Sequence, residues 1–193
     1  RRLVYGLYDL RRDEPWKVPT HELYPVLRAG LVIPVEEHIE MLRAYRASVE
    51  ADTSRRPMDL ARVVLTGSFC EQPPLGLIRT LEMAGCYIVW DDMALGKRWI
   101  TADISTEGDP LLALSDAFIH HSTSTAVLYE PRREKGDALL DVVKKTRAEG
   151  VIFAAPSFCD PALLEQPMLT DALDKAAVPW TAFKYSENLG QFQ

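Results

Sequence analysis

The stretch from residue 150 to residue 161 most constrains how this chain folds, because a short apolar run ends there and a helical pattern begins. Residues 150–155 are apolar and bounded by a glycine and a proline, as in a strand buried on both faces of a sheet. Asp160 is predicted as the N-cap of the helix and Pro161 as its first residue. Cys159 is therefore expected between the carboxyl end of a strand and the amino end of a helix.

An earlier stretch repeats this arrangement. Residues 63–67 have the pattern of a strand, and Ser68–Glu71 follows it as Ser157–Asp160 follows the later strand. The amino end of a helix favours a thiolate, and the carboxyl ends of parallel strands open onto one crevice where ligands bind. A single cysteine is more often a small buried apolar residue, but this position makes Cys159 and Cys70 candidate site residues.

Two thiols at one edge of a sheet suit an iron–sulfur cluster, a zinc ion or a redox pair. The sequence has no C-x-x-C spacing, so a metal site would need ligands from distant segments or from outside this chain. Cys86 begins another predicted strand, at the opposite edge, and is expected in the core.

The composition is that of an ordinary soluble globular protein, with 47% hydrophobic and 26% charged residues among 193. No apolar run is long enough to span a membrane, and no signal peptide is expected. The net charge of -6 argues against nucleic-acid binding, while a local basic pocket for an anion is still compatible with it. Three cysteines, an odd number, favour reduced thiols and a cytoplasmic location. Because the chain begins at Arg1, we expect a fragment that shares its chemistry with residues outside it.

The chain is expected to divide near residue 57. Residues 1–57 have helical patterns only, and the polar run 52–57 is the predicted boundary. Beyond it, strands alternate with helices, which implies right-handed crossovers and a mostly parallel sheet covered on both faces. The predicted strands lie at 63–66, 87–90, 150–155 and 180–183. The predicted fold class is a three-layer Rossmann-like (flavodoxin-like) α/β lobe at 58–193, preceded by a helical arm at 1–57.

Four charged residues near the second predicted strand are candidate substrate-binding residues. Asp91 and Asp92 end this strand, and Lys97 and Arg98 follow in the next loop. In dinucleotide-binding folds an acid at this place forms a hydrogen bond to a ribose hydroxyl. The turn after the first predicted strand lacks G-x-G-x-x-G, however, which argues against a conventional NAD or FAD site. The two cations suit either a phosphate or simple solvation. Neither a G-x-S-x-G elbow nor a Gly-Lys-Ser/Thr loop is present, so a serine hydrolase or an NTPase has no support.

Five motifs, taken in their order and spacing, resemble the family of benzoyl-CoA reductases and 2-hydroxyacyl-CoA dehydratases. They are Arg28–His38, Gly67–Leu75, Ala84–Val89 with two acids soon after it, Gly108–Leu111 and Phe158–Pro161. Together they span nearly the whole chain. The resemblance is to the subunits that carry the cluster and bind the substrate, and the second motif is closer to the ATP-dependent benzoyl-CoA reductases.

This resemblance implies two Rossmann-like lobes with a 4Fe-4S cluster between them, held by three cysteines. Cys159 would be the third ligand, and the other two would come from a first lobe that is absent from this chain. Residues 1–57 would then be a helical linker from that lobe, and the fragment alone would be inactive. Cys70 departs from the dehydratase pattern and is a further candidate ligand.

The implied reaction reduces an aromatic acyl-CoA thioester to a cyclic dienoyl-CoA with low-potential electrons. The implied partners are a homologous second cluster subunit and an ATPase activator with its own iron–sulfur cluster, and ATP enters only through partners. Two alternatives stay open. A 2-hydroxyacyl-CoA dehydratase would use the same electron to form a ketyl radical that expels hydroxide, and a non-catalytic scaffold lobe would only dock a homologous subunit.

Overall fold

The computed structural model describes residues 1–67, 73–94, 96, 98, 102–122 and 134–186. Within these residues the chain forms seven helices and four strands. The helices are α1 (Arg2–Asp13), α2 (Thr20–Ala29), α3 (Val35–Ala51), α4 (Leu75–Met83), α5 (Pro110–His120), α6 (Lys135–Thr146) and α7 (Asp160–Lys175). The strands are β1 (Ala61–Thr66), β2 (Cys86–Asp91), β3 (Gly150–Pro156) and β4 (Trp180–Tyr185).

The first three helices pack around an apolar core of their own, as their periodic apolar residues predict. This core contains Leu7, Tyr8, Val18, Leu23, Leu27, Leu42 and Val49. Pro19 and Pro34 occupy the N-cap positions of α2 and α3. The boundary predicted at residue 57 lies in the extended segment between α3 and β1.

The amino end of α2 differs from what the sequence predicts. The local pattern makes Thr20 the cap of this helix, but Thr20 is the first helical residue. The Glu82 carboxylate of α4 accepts instead, from the Thr20 N–H at 2.6 Å and from the His21 N–H at 3.2 Å. Thr20 is not needed as a cap because an acid from a distant helix satisfies these two N–H groups.

The four strands form one parallel sheet in the order β2-β1-β3-β4. The predicted α/β class is confirmed. The chain moves outward in one direction from β1 to β2 and in the opposite direction from β3 to β4. The order therefore reverses between β1 and β3, and such a switch point opens a crevice outside the carboxyl ends of the two strands.

The sheet is covered on both faces by helices, which gives three layers. On one face, α4 packs through Leu77 and Ile78 against the strand residues Val63, Leu65, Ile88 and Ile152. On the other face, α6 and α7 pack through Leu139, Val143 and Leu173 against Val64, Val151 and Phe153. Because β1 and β3 contribute residues to both cores, both strands are buried on both faces, as their continuous apolar runs predict.

Helix α5 is apolar yet exposed. Asp109 caps it and accepts hydrogen bonds from the N–H groups of Leu111 and Leu112 at 2.8 and 3.3 Å. These two leucines are 72% and 70% exposed, whereas Ala117 is the buried residue of this helix. Within the described residues no helix is both long and apolar enough to cross a membrane.

Candidate functional site

The site begins where β1 ends beside β3. Thr66, the last residue of β1, pairs with Phe153 of β3. After β3 the chain turns at Ser157, whose N–H and hydroxyl both donate to the Tyr185 carbonyl of β4, at 2.9 and 3.0 Å. This turn fixes the start of α7 beside the switch point, and it places Cys159 there as the sequence predicts.

Cys159, and not Asp160, is the N-cap residue of α7. The Cys159 N–H donates to the Pro156 carbonyl at 3.0 Å, and the Cys159 carbonyl accepts the first helical bond, from Leu163, at 3.1 Å. The prediction for Asp160 was therefore wrong by one residue. The turn closes on Cys159 itself, so the next residue is already helical, and Asp160 adds its negative charge to the first turn.

The Cys159 side chain is only 1% exposed and packs among apolar neighbours. These neighbours are Ala155, Ala162 and Leu163. Phe158, the preceding residue, is 94% exposed. The thiol of Cys159 therefore lies in a dry pocket while the adjoining turn is open to solvent.

Asp92 holds the end of β1 in place. One of its carboxylate oxygens, Oδ2, accepts from the Thr66 hydroxyl at 2.8 Å and from the Gly67 N–H at 2.9 Å. Burial raises the pKa of Asp92 above its ordinary value of 3.8, although the positive charge of Arg98 and these two hydrogen bonds oppose that rise. Asp92 therefore binds a proton more readily than an exposed aspartate does.

A small cavity of about 60 Å³, lined by both polar and apolar residues, lies beside Asp92, beneath α6 and α7. Arg98, which is 4% exposed, lines it together with Thr66 and Trp90. Lys135 and Glu165 close it and form an ion pair at 2.8 Å that joins α6 to α7. These two partners come from different helices with β3 between them in the sequence, so no spacing motif could have indicated them. The cavity brings together charges of both signs at the carboxyl edge of the sheet.

Asp91, the last residue of β2, does not line this cavity. Its carboxylate is 1% exposed and is bound by Arg11 at 2.6 Å, by the Tyr8 hydroxyl at 3.0 Å and by the Met93 N–H at 3.1 Å. Asp91 thus serves the junction between α1 and the sheet. Of the two acids, we place Asp92 at the candidate site.

Two predicted site residues, Cys70 and Lys97, lie outside the described residues. Cys86 begins β2 at the opposite edge of the sheet, as expected, and burial raises the pKa of its thiol. Within the described part of the chain, no group of three or more His, Cys, Asp or Glu residues could hold a metal ion. Of the two cysteines that the structure describes, Cys159 is the one at the carboxyl edge of the sheet. A metal site that includes it would need further ligands.

Known proteins match most or all of the chain. The sequence model of the family described as 2-hydroxyglutaryl-CoA dehydratase, D-component, matches residues 1–190. One of the subunits of benzoyl-CoA reductase from Thauera aromatica is 54% identical over 195 residues, which cover 100% of this chain and 50% of that protein. The (R)-phenyllactyl-CoA dehydratase beta subunit of Clostridium sporogenes is 27% identical, over 83% of this chain and 41% of that protein. The beta subunit of (R)-2-hydroxyglutaryl-CoA dehydratase from Acidaminococcus fermentans is 26% identical, over 88% and 45%. The chain thus spans about half the length of these relatives.

Proposed function

The chain belongs to the 2-hydroxyglutaryl-CoA dehydratase D-component family, and we propose that it is the part of an ATP-dependent benzoyl-CoA reductase subunit that presents a cysteine ligand to an iron–sulfur cluster. The family resemblance drawn from the five motifs is confirmed by this match. The reductase is favoured over a dehydratase because the identity is 54% to the reductase subunit and 27% to the phenyllactyl-CoA dehydratase subunit.

The position of Cys159 carries the proposal. Thiolates are the usual ligands of iron–sulfur clusters, and this thiol lies at the carboxyl end of β3, next to the switch point. Its apolar neighbours exclude water, which suits a strongly reducing centre. The Cys159 thiolate therefore fits one ligand position of a 4Fe-4S cluster. The remaining ligands would come from residues outside the described ones, with Cys70 as one candidate.

When bound, the cluster would supply single low-potential electrons for the reduction of a thioester-activated aromatic ring. Arg98 would contribute a buried positive charge that attracts an anionic or carbonyl oxygen of the acyl-CoA. Asp92 would fix the end of β1 through the bond that it accepts from the Gly67 N–H. The cavity of about 60 Å³ admits only a small group, so most of the acyl-CoA would lie in the open crevice.

We also propose that the electrons arrive through partner subunits. The sequence has no Gly-Lys-Ser/Thr phosphate loop, so ATP would be bound by an activator protein that carries its own cluster. A homologous second subunit would complete the catalytic unit. The domain division into a helical arm at 1–57 and a cluster-bearing lobe at 58–193 is part of this proposal.

The test is anaerobic reconstitution of the full-length subunit, in its complex, with iron and sulfide. Cys159→Ser should lower both the bound iron and the visible absorbance of the cluster. Cys86→Ser is the matched control, because this thiol lies at the opposite edge of the sheet and should leave both unchanged. Full iron content together with an unchanged cluster spectrum in the Cys159→Ser protein would refute the ligand assignment, because a serine oxygen in place of the thiolate would alter that spectrum. Cys70→Ser tests the additional candidate ligand in the same way.

A dehydratase is the second candidate, favoured by the family match and by the dehydratase relatives. The reconstituted complex should reduce benzoyl-CoA and leave a 2-hydroxyacyl-CoA unchanged. The reverse result would identify a dehydratase. A complete complex that binds no iron would identify a scaffold lobe.

A further inference from the structure

We propose that Tyr8 of α1 is a positioning residue for the loop that follows β2, and that it thereby sets where Arg98 lies in the cavity beside Asp92. The inference rests on the proposed function, in which Arg98 is a substrate-binding residue. Its basis is a set of contacts between α1 and this loop.

The first contact is at Asp91, the last residue of β2. The Tyr8 hydroxyl donates to Oδ1 of Asp91 at 3.0 Å, and the same oxygen accepts from the Met93 N–H at 3.1 Å. One carboxylate oxygen therefore joins α1 to the beginning of the loop. All three residues are buried, so water does not compete for these bonds.

Arg11 fixes the other half of this carboxylate. It donates to Oδ2 of Asp91 at 2.6 Å, and its guanidinium carbon lies 4.4 Å from the centre of the Tyr8 ring. The ring of Tyr8 is thus held by a cation–π contact while its hydroxyl is held by Asp91. The orientation of Tyr8 is determined at both ends.

The second contact is at Gly96. The Gly96 N–H donates to the Met93 carbonyl at 3.0 Å and closes a turn in the loop. A Cβ atom on Gly96 would overlap the Tyr8 hydroxyl oxygen and lie 2.7 Å from Cζ of that ring, closer than real Cβ atoms approach. The loop backbone therefore lies directly on the Tyr8 side chain.

These contacts lead to Arg98, two residues beyond Gly96. Met93 is buried and Gly96 rests on Tyr8, so both ends of the turn are fixed before the chain reaches Arg98. Arg98 then lines the cavity together with Asp92. A helix outside the α/β lobe thus determines the position of a candidate site residue.

The test is a double-mutant cycle in the full-length subunit within its complex. Gly96→Ala should displace the loop, speed hydrogen exchange at the Met93 and Gly96 amides about tenfold, and raise the KM for benzoyl-CoA several-fold with little change in kcat. Adding Tyr8→Phe removes the hydroxyl that the new methyl group meets but leaves Cζ of the ring 2.7 Å away. The two substitutions should therefore be non-additive, and the double variant should exchange no faster than Gly96→Ala alone. Gly76→Ala is the control, since no atom lies within 4 Å of that position.

An unchanged exchange rate in the Gly96→Ala protein, or exchange effects that simply add in the double variant, would overturn the proposal. Tyr8→Phe alone supplies a second test. The Met93 amide should exchange faster once Asp91 loses the Tyr8 hydroxyl as a donor. An unchanged exchange rate would also count against the proposal. Arg98→Gln separates the two proposals. If exchange responds as expected but neither Arg98→Gln nor Gly96→Ala raises the KM, Tyr8 positions the loop and the substrate role of Arg98 fails.

Discussion

Gly67 and Ala154 lie against each other where the strand order reverses. A Cβ atom on Gly67 would be 3.1 Å from the Ala154 carbonyl oxygen, and Gly67 has a φ of +101°. The left-handed backbone and the close approach of β3 both require glycine. Glycine is therefore strongly favoured at the position that follows β1.

Gly67→Ala should destabilise the protein more than Gly85→Ala does. Gly85 has the same φ of +101° but no atom within 4 Å, so its substitution should cost only the backbone term of about 1–2 kcal/mol. Gly67→Ala should cost this amount plus the displacement of β3. Urea unfolding of the two variants measures the difference, and equal losses would mean that the close approach is relaxed without cost.

Removing either partner of the buried Arg11–Asp91 pair should cost about 3–5 kcal/mol, because an uncompensated charge stays inside the protein. Replacing both, as Arg11→Met with Asp91→Asn, should cost clearly less than the sum of the single substitutions. Chemical unfolding of the four proteins gives the coupling free energy. Additive losses would show that the two charges do not depend on each other.

The free energy of unfolding of the Asp92→Asn variant should increase relative to that of the wild type as the pH rises. Because burial raises the folded-state pKa of Asp92, its contribution is fully present below the ordinary value of 3.8 and is lost as the pH rises through the folded pKa. An amide does not ionise, and its oxygen can still accept from Thr66 and Gly67. Unfolding free energies should therefore diverge in favour of the variant as the pH rises above 3.8 towards the folded-state pKa.

The lowered pKa values of Asp13, Asp52 and Asp103 act in the opposite direction. They are common to both proteins and cancel in the difference. A difference that stays constant across this pH range would contradict the raised pKa of Asp92.

The double variant Leu111→Ala/Leu112→Ala should have a free energy of unfolding within about 0.5 kcal/mol of the wild type, since both side chains are already mostly in water. Leu173→Ala in α7 makes the same chemical change at a side chain with 0% exposure and should cost about 2–5 kcal/mol. Thermal unfolding of the two variants compares these losses. A large loss from the α5 variant would mean that this helix packs on the rest of the chain.

The elements of this fold follow from local patterns, and the geometry of the site does not. The apolar run before Cys159 predicts β3, and the place of that cysteine at a strand end follows directly. The strand order depends on how whole strands pack, which no local pattern contains. The two acids after β2 look equivalent in the sequence, yet Asp91 binds Arg11 and Asp92 binds the Gly67 N–H, because one faces α1 and the other faces the switch point. Only the partner of each acid distinguishes them.

The hydrogen bonds from Thr20 and His21 to Glu82 have a consequence for how the protein unfolds. The start of α2 is completed by a side chain that reaches it only after α4 has docked on the sheet. A chain cut between the helical segment and β1 would therefore lose a helix cap on one piece and leave an unpaired acid on the other. In the intact chain, the helical segment and the sheet should therefore unfold as one cooperative unit.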